Sequence, residues 1–555
     1  MYRYPDNFIK LYEKSFRQNA NLPALSLYGR PGAKSYLHLA ANIARVHILF
    51  EEMGLKRGDK IALYAKDTDV WVEAFMSVIT YGATVVPVLP DFVAEDAVNI
   101  INHSGARLLM TDDSRWKSLD FRKLADVECV LSLSRPELYA AKNEKKMRKL
   151  LDNLGDMFAT VYPQGFTAED IHYPQVDNNA VVVLNYTSGT TGFSKGVMLT
   201  GWNLAGNVVF GLNEKLHYPR SRVLTFLPMA HAYGCTFDML LPLAAGSHIT
   251  VLGRIPTPAV LLAALQQVRP NVLLSVPLVF EKIYRKKIEP LISTPKMQRM
   301  LAMPGVRALV HRTLRSRLMK VMGGNLDQVI IGGAALGTDT EEFLRMIKFP
   351  YTVGYGMTEC GPLISYTHAA DYIPGSAGRT LPCIMESRVD SPDPLSIPGE
   401  ILVRGQNVMA GYYKNEKATA EALDSEGWLH TGDMGTRQPD GTLFLRGRSK
   451  TMILSASGQN IYPEEIEAKL NNMPFVAESL VVERDGKLVA LVYPDFDALD
   501  RLEVPVTDMD NTMENIRKEL NGLVAPYERI SKIILMPNEF QKTPKRSIKR
   551  FLYTR

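Results

Sequence analysis

Tyr186-Thr-Ser-Gly-Thr-Thr-Gly-Phe-Ser-Lys-Gly196 is the stretch on which the reading of this chain turns. Val181, Val182, Val183 and Leu184 precede it, a short β-branched run that predicts a buried strand. Glycine, serine and threonine then dominate. Gly189, Gly192 and Gly196 carry no Cβ, so the backbone there can bend sharply and turn its N–H groups toward an anion. Ser188, Thr190, Thr191 and Ser194 add hydroxyl donors, and Lys195 adds a mobile positive charge. A Gly/Ser/Thr cluster is most often a plain surface loop, but that does not explain a lysine set among so many hydroxyls. The Walker pattern is absent, because Ser194 precedes Lys195 and Gly196 follows it. The stretch therefore predicts phosphate binding on a fold other than that of the P-loop NTPases.

Outward from it, strands and helices alternate. Residues 37–53 have helical spacing, and Ile61-Ala-Leu-Tyr-Ala65 reads as a strand after the Gly58-Asp59 turn. Residues 70–81 are helical again, Ala83-Thr-Val-Val-Pro-Val88 is a strand, and residues 95–103 form a helix. Downstream, residues 258–268 read as a helix and Val272-Leu-Leu-Ser-Val276 as a strand. This alternation predicts an α/β fold with a mainly parallel sheet. Residues 135–156, rich in lysine, glutamate and leucine, read as an exposed helical excursion, more often a solvated helix than a docking surface. Residues 281–320 are basic, with Arg285, Lys286, Lys287, Arg312, Arg315, Arg317 and Lys320. They suit anionic headgroups or other phosphates, although a solvated helical face is the commoner explanation.

Val329-Ile-Ile-Gly-Gly-Ala334 is a strand ending in two glycines, and Thr338 with Glu341 predicts a capping box for the next helix. After Gly378 the strands shorten and turns become frequent, with Ile401-Leu-Val-Arg404 and Thr442-Leu-Phe-Leu-Arg446 as strands of a small β subdomain. From Arg448 a compact α+β unit is expected. Pro463 opens a helix over 464–471, followed by strands at 479–483 and 487–492, a helix at 513–521 and a strand at 532–536.

The 555 residues suffice for roughly three to four average domains. Hydrophobic residues are 46% and charged residues 22%, ordinary for a soluble enzyme. A net charge of +5 does not call for nucleic acid as a partner. Cys129, Cys235, Cys360 and Cys383 have neither CxxC nor metal spacing, which suits a reducing compartment. No apolar run reaches the length of a membrane span, and Met1-Tyr-Arg-Tyr-Pro-Asp6 is no signal peptide. The expected location is the cytoplasm, with transient peripheral contact at the inner face of a membrane.

The phosphate stretch resembles the signature of the adenylate-forming superfamily: acyl-CoA synthetases, luciferases and peptide-synthetase adenylation domains. The rest of that pattern follows in order. Phe226-Leu-Pro-Met-Ala-His231, Tyr355-Gly-Met-Thr-Glu359, Gly427-Trp-Leu-His-Thr-Gly-Asp433, Gly447-Arg-Ser-Lys450 and Gly458-Gln-Asn-Ile-Tyr-Pro-Glu-Glu-Ile-Glu467 are all present. The resemblance runs from about Ala24 to the C-terminus. The blocks at 428–433 and 454–465 are most similar to bacterial long-chain fatty acyl-CoA synthetases.

The resemblance implies a large N-terminal domain over 1–447, made of α/β subdomains and a small β subdomain. A small mobile α+β domain over 448–555 would swing on a hinge near Lys450. It implies ATP-dependent activation of a fatty acid as acyl-AMP, with release of pyrophosphate, then transfer to CoA, with Mg²⁺ required. Aryl-acid ligation and loading of a carrier protein are rivals within the class. A non-catalytic nucleotide- or acyl-binding relative is the rival outside it. By the same resemblance Thr187, Ser188, Gly189, Thr190, Thr191, Gly192 and Lys195 hold the triphosphate. Gly333 and Ala334 lie against adenine, and Tyr355, next to Gly356, stacks on it. Thr358 contacts the α-phosphate, Glu359 the metal, Asp433 both ribose hydroxyls, and Arg448 adds a donor to the ribose. His231 positions the substrate where carboxylate and acyl tunnel meet, with Gly234, Thr236 and Phe237 lining the tunnel, and Gly458 meets pantetheine. Alone, a Thr-Glu pair is more often a helix cap, a histidine a structural residue, and an aspartate in such a turn simply turn chemistry; the ordered set outweighs these readings.

The tail departs from the pattern. The family ends Lys-Thr-x-x-Gly-Lys-Ile-x-Arg, and its second lysine bridges carboxylate and α-phosphate. Here Lys542-Thr-Pro-Lys-Arg-Ser-Ile-Lys-Arg550 puts Ser547 in that place. If the segment is extended, Lys545 and Lys549 face the same side as Ser547. Lys545 is the expected substitute, because Lys549 already has a place in the pattern.

Overall fold

Strands with two apolar faces must lie between layers, and the centre of this fold is built from such strands. In the computed structural model, which describes residues 7–135, 137–187, 195–454, 459–501, 508–543 and 547–554, Thr84–Val88 and Leu108–Thr111 are buried along their whole length. With Lys60–Tyr64 between them, they belong to an eight-stranded sheet. Its order is Gly411–Tyr412, Lys195–Thr200, Val181–Thr187, Thr84–Val88, Lys60–Tyr64, Leu108–Thr111, Cys129–Ser132, Leu138–Ala141. The inner pairs are parallel, and both edges are antiparallel.

Helices return the chain between the parallel strands, as the right-handed crossover requires. Asp69–Tyr81 starts where the Thr68 side chain accepts from the Trp71 N–H, and ends at Gly82. Gly82 has φ +90°, a left-handed conformation that a side chain would strain. Two smaller parallel groups extend the α/β part. One is Arg222–Thr225, His248–Val251 and Pro23–Leu27; the other is Val272–Ser275, Gln328–Ile331 and Tyr351–Val353. The β subdomain is the antiparallel sheet Met385–Asp390, Gly399–Gly405, Leu429–Arg437, Leu443–Arg448. Among the described residues no helix is long and apolar enough to cross a membrane.

Two expectations are corrected. Residues 135–156 are largely exposed and helical from Glu144, as expected, but they are not an excursion from the core. Leu138–Ala141 closes the sheet edge, and Glu144–Val161 turns Met147, Leu150, Leu151 and Leu154 onto the core. Those apolar positions recur every three to four residues beneath a charged outer face. The capping box at Thr338 is not formed either. Gly337 is the cap, without a side-chain bond, and Glu341 is buried, accepting from the Tyr372 hydroxyl at 2.7 Å and the Gly375 N–H at 3.0 Å. The basic stretch forms several helices, of which Glu289–Ile292, Pro295–Ala302 and the longer Pro304–Val321 have a proline in the first turn.

Beyond Arg448, Ile461, Ile466, Leu470, Val481, Ala490, Met513, Ile516 and Leu520 form a core of their own. Helices Pro463–Asn471 and Met509–Leu523 accompany the strands Val476–Arg484, Lys487–Pro494 and Lys532–Leu535. The tail is held by Arg550, whose guanidinium donates to both Glu467 carboxylate oxygens at 2.8 Å. The described residues of the tail pair with one another. Thr543 N–H donates to the Ser547 carbonyl at 2.8 Å and Lys549 N–H to the Gln541 carbonyl at 2.8 Å. Lys542 and Ile548 are antiparallel partners, so the two sides of this segment run in opposite directions. Lys545 itself lies outside the described residues.

Candidate active site

Parallel strands end together, and loops that leave their carboxyl ends share one crevice. Gln328–Ile331 and Tyr351–Val353 pair in parallel, so Gly332-Gly333-Ala334 and Gly354-Tyr355-Gly356 emerge side by side. Gly333, at φ +86°, and Ala334 are exposed, leaving bare backbone for a flat ring. Gly356 is required by space, since a Cβ there would stand 2.1 Å from the Pro362 carbonyl oxygen. Thr358 is buried in the turn that follows.

Asp433 comes to this crevice from the β subdomain, where it is paired in register with Arg448. The Tyr355 hydroxyl donates to its Oδ2 at 2.6 Å, and Arg448 Nε lies 2.9 Å from its Oδ1. The carboxylate of Asp433, with Tyr355 and Glu359 adding, raises the Arg448 pKa above its ordinary value. Each carboxylate oxygen of Asp433 has a second lone pair for a ligand hydroxyl. The Tyr355 ring is buried, so its visible task is to hold Asp433. Glu359 Oε1 accepts from the Tyr412 hydroxyl at 2.8 Å, and the Lys195 ammonium sits over the Tyr412 ring, 4.7 Å from its centroid. Among the described residues no three His, Cys, Asp or Glu side chains gather as a metal cage. Mg²⁺ in general needs no such cage, since one or two carboxylates with substrate phosphate oxygens complete its shell.

His231 caps the turn Ala232–Gly234, its Nδ1 accepting from the Tyr233 N–H at 3.3 Å. That bond puts the proton of the neutral ring on Nε2. Gly234, Thr236 and Phe237 are buried around the π-helical turn Cys235–Leu240, and Thr236 donates to the Gly361 carbonyl at 2.9 Å. Thr187 ends the strand that leads to the phosphate stretch. Ser188, Gly189, Thr190, Thr191, Gly192 and Gly458 lie outside the described residues.

Sequence reasoning missed Asp67, which follows the strand Lys60–Tyr64 and accepts from the Met229 N–H at 3.0 Å, holding the loop before His231. Its Oδ1 is buried without a hydrogen-bond partner among the described residues. Burial pushes the carboxyl up to about 7 from its ordinary 3.8. Below pH 3.8 the folded and unfolded chains are both protonated there, and the group's contribution to stability is fully present. As pH rises toward about 7 the unfolded chain loses the proton first, so that contribution is lost. Asp67→Asn is expected to raise Tm at pH 8 by about 3 °C or more and to leave it unchanged at pH 4, as calorimetry would read.

Fold and crevice together define an α/β protein in which Tyr355, Asp433 and Arg448 meet at a crevice by the carboxyl ends of parallel strands. The chain belongs to the AMP-binding enzyme family, whose profile matches residues 12–413. The long-chain-fatty-acid–CoA ligase FadD15 of Mycobacterium bovis is 28% identical over 559 aligned positions, covering 92% of this chain and 89% of that protein. ATP-bound MatB from Rhodopseudomonas palustris has a similar fold, with a TM-score of 0.75 at 23% identity over 98% of each chain. So does the o-succinylbenzoate–CoA synthetase MenE of Bacillus subtilis in complex with ATP and magnesium ion, with a TM-score of 0.74 at 20% identity over 98% of each chain.

Proposed function

We propose that the protein is an ATP-dependent acid–thiol ligase that activates a long-chain fatty acid as its adenylate and passes the acyl group to CoA. The observation that carries this reading is the linked set Tyr355–Asp433–Arg448 beside Glu359, in a chain 28% identical to a long-chain-fatty-acid–CoA ligase over 92% of its length. A carboxylate oxygen is a poor leaving group. Joining it to the α-phosphate of ATP expels pyrophosphate and turns that oxygen into part of AMP. The CoA thiol then attacks the acyl carbon and AMP departs, so no protein nucleophile is needed.

In this reading Asp433 and Arg448 orient the ribose, Gly333, Ala334 and Tyr355 frame the adenine, and Thr358 donates to the α-phosphate. Lys195, with Thr187, Ser188, Gly189, Thr190, Thr191 and Gly192, neutralises the triphosphate. His231 sets the fatty acid carboxylate at the mouth of a tunnel lined by Gly234, Thr236 and Phe237. Glu359 would hold Mg²⁺, which would supply charge neutralisation on the phosphate oxygens. Residues 1–447 would act as the large domain and 448–555 as the mobile one, hinged near Lys450, with Gly458 brought to pantetheine in the second pose. Lys545 would supply the charge that Ser547 lacks. Lys545→Ala is then expected to slow acyl-AMP formation by about 100-fold, read as pyrophosphate release, while thioester formation from supplied acyl-AMP is kept. An unchanged first step would remove Lys545 from the reaction.

We further propose a cytoplasmic location with brief contact at the inner membrane face. Exposed Leu278 and Leu309 on helices Pro277–Ile283 and Pro304–Val321, and exposed Met303 at the cap before the latter, support the membrane contact. Neutralising Arg312, Arg315 and Arg317 should weaken sedimentation with anionic liposomes, and unchanged sedimentation would contradict it. The test of the main reading is acyl-CoA yield with fatty acids from short to long and with aryl acids, at fixed Mg·ATP and CoA. A maximum among long chains supports it; turnover of aryl acids alone would replace it.

A further inference from the structure

Tyr412 lies outside the sequence blocks quoted above, yet it touches two of the charged groups assigned above. It belongs to the two-residue strand Gly411–Tyr412, antiparallel to Lys195–Thr200, with Tyr412 opposite Val197. Its backbone is fixed on both flanks. Ala410 N–H donates to the Met198 carbonyl at 3.0 Å, and Tyr413 N–H to the Gly196 carbonyl at 2.8 Å. The Tyr412 N–H donates to Thr419 Oγ1 at 2.9 Å. Gly411, at φ +136°, allows this approach, since a Cβ there would stand 2.8 Å from Thr419 Cγ2. The segment before it is tied to the Glu359 turn, because Met409 N–H donates to the Glu359 carbonyl at 2.8 Å.

The side chain works at both ends. Its hydroxyl donates to Glu359 Oε1 at 2.8 Å, and its ring face takes the Lys195 ammonium at 4.7 Å. An aromatic face attracts a cation without neutralising it, and a phenol donor fixes which carboxylate oxygen is engaged. Glu359 and Lys195 have opposite charges and flexible stems. With no group between them, they could form an ion pair that would leave neither free for a ligand.

We propose that Tyr412 is a positioning residue that keeps Glu359 and Lys195 apart, aiming the carboxylate at Mg²⁺ and the ammonium at the triphosphate. The inference rests on the assignments of Glu359 and Lys195 made under the proposed function. Tyr412→Phe removes the hydroxyl and keeps the buried ring; Tyr412→Leu removes both. The readout is ATP binding by calorimetry over a range of Mg²⁺ concentrations, with neither fatty acid nor CoA present, and with Tm as a check on folding.

Tyr412→Phe is expected to raise the Mg²⁺ concentration for half-maximal ATP binding about tenfold, with ATP affinity at saturating Mg²⁺ within about twofold of the parent. Tyr412→Leu should show the same shift and also weaken ATP binding at saturating Mg²⁺ by about tenfold. Glu359→Gln is the control. If it shifts the Mg²⁺ dependence and Tyr412→Phe does not, the role given to Tyr412 is overturned while the metal assignment stands. If Glu359→Gln itself causes no shift, the metal assignment fails and the Tyr412 proposal falls with it. An equal loss of ATP affinity at every Mg²⁺ concentration in Tyr412→Phe would mean a merely structural role and would also overturn the proposal.

Discussion

Asp433→Ala is expected to lower kcat/KM for ATP by about 1,000-fold and to leave KM for the fatty acid within a few-fold. Asp433 is buried, and its two oxygens meet the Tyr355 hydroxyl at 2.6 Å and Arg448 Nε at 2.9 Å. If the same carboxylate accepts two ribose hydroxyls, each such bond to a charged group contributes about 1.5–3 kcal/mol, and two give roughly 10²–10⁴ in affinity. The variant also leaves the Tyr355 hydroxyl buried without this acceptor, at a cost of about 1–3 kcal/mol in stability. Asp433→Asn keeps the shape and one acceptor, so its loss should be about tenfold to 100-fold. Steady-state kinetics with ATP and fatty acid varied separately, beside a melting curve, would check both parts. ATP affinity unchanged in Asp433→Ala would remove the residue from the nucleotide site.

Glu359→Gln is expected to slow acyl-AMP formation by about 1,000-fold, because a neutral amide holds a divalent cation poorly where phosphate charge must be offset. The second half-reaction should respond differently. With acyl-AMP supplied, attack by the thiol expels AMP with no pyrophosphate to neutralise, so its rate is expected to stay within a few-fold of the parent. The Tyr412 hydroxyl, 2.8 Å from Glu359, can donate equally to the glutamine carbonyl, so folding should be retained. Half-reaction assays separate the two steps. Equal losses in both would point to a general packing role for Glu359.

The α/β core was legible because its strands announce themselves. Val181-Val-Val-Leu184 and Ile61-Ala-Leu-Tyr64 are apolar on both faces, as strands covered on both sides are; the first pairs in parallel on one side and antiparallel on the other. Pro463 opens its helix as expected, since its missing N–H has no partner to lose there. Composition gave the exposed helix at residues 135–156 but not its inner face, where Met147 and Leu151 lie on the core. The Thr338 capping box was misread because Glu341 finds a better-buried partner in the Tyr372–Gly375 turn, which local spacing cannot reveal.

At the site, order along the chain pointed to Tyr355, Glu359, Asp433 and Arg448. Their mutual contacts depend on how the β subdomain meets the sheet edge. Asp67 and Tyr412 were not legible at all. Asp67 meets Met229 and Tyr412 meets Glu359 only because distant strands end together, and neither residue type signals that by itself.

The most direct test of the two-step account is a single-turnover experiment with excess enzyme, labelled long-chain fatty acid and Mg·ATP, first without CoA and then with CoA added. The account predicts one equivalent each of enzyme-bound acyl-AMP and pyrophosphate before CoA, and conversion of that same label to acyl-CoA with release of AMP afterwards. Acyl-CoA formed without prior acyl-AMP, or ATP bound with no pyrophosphate released from any acid, would contradict it.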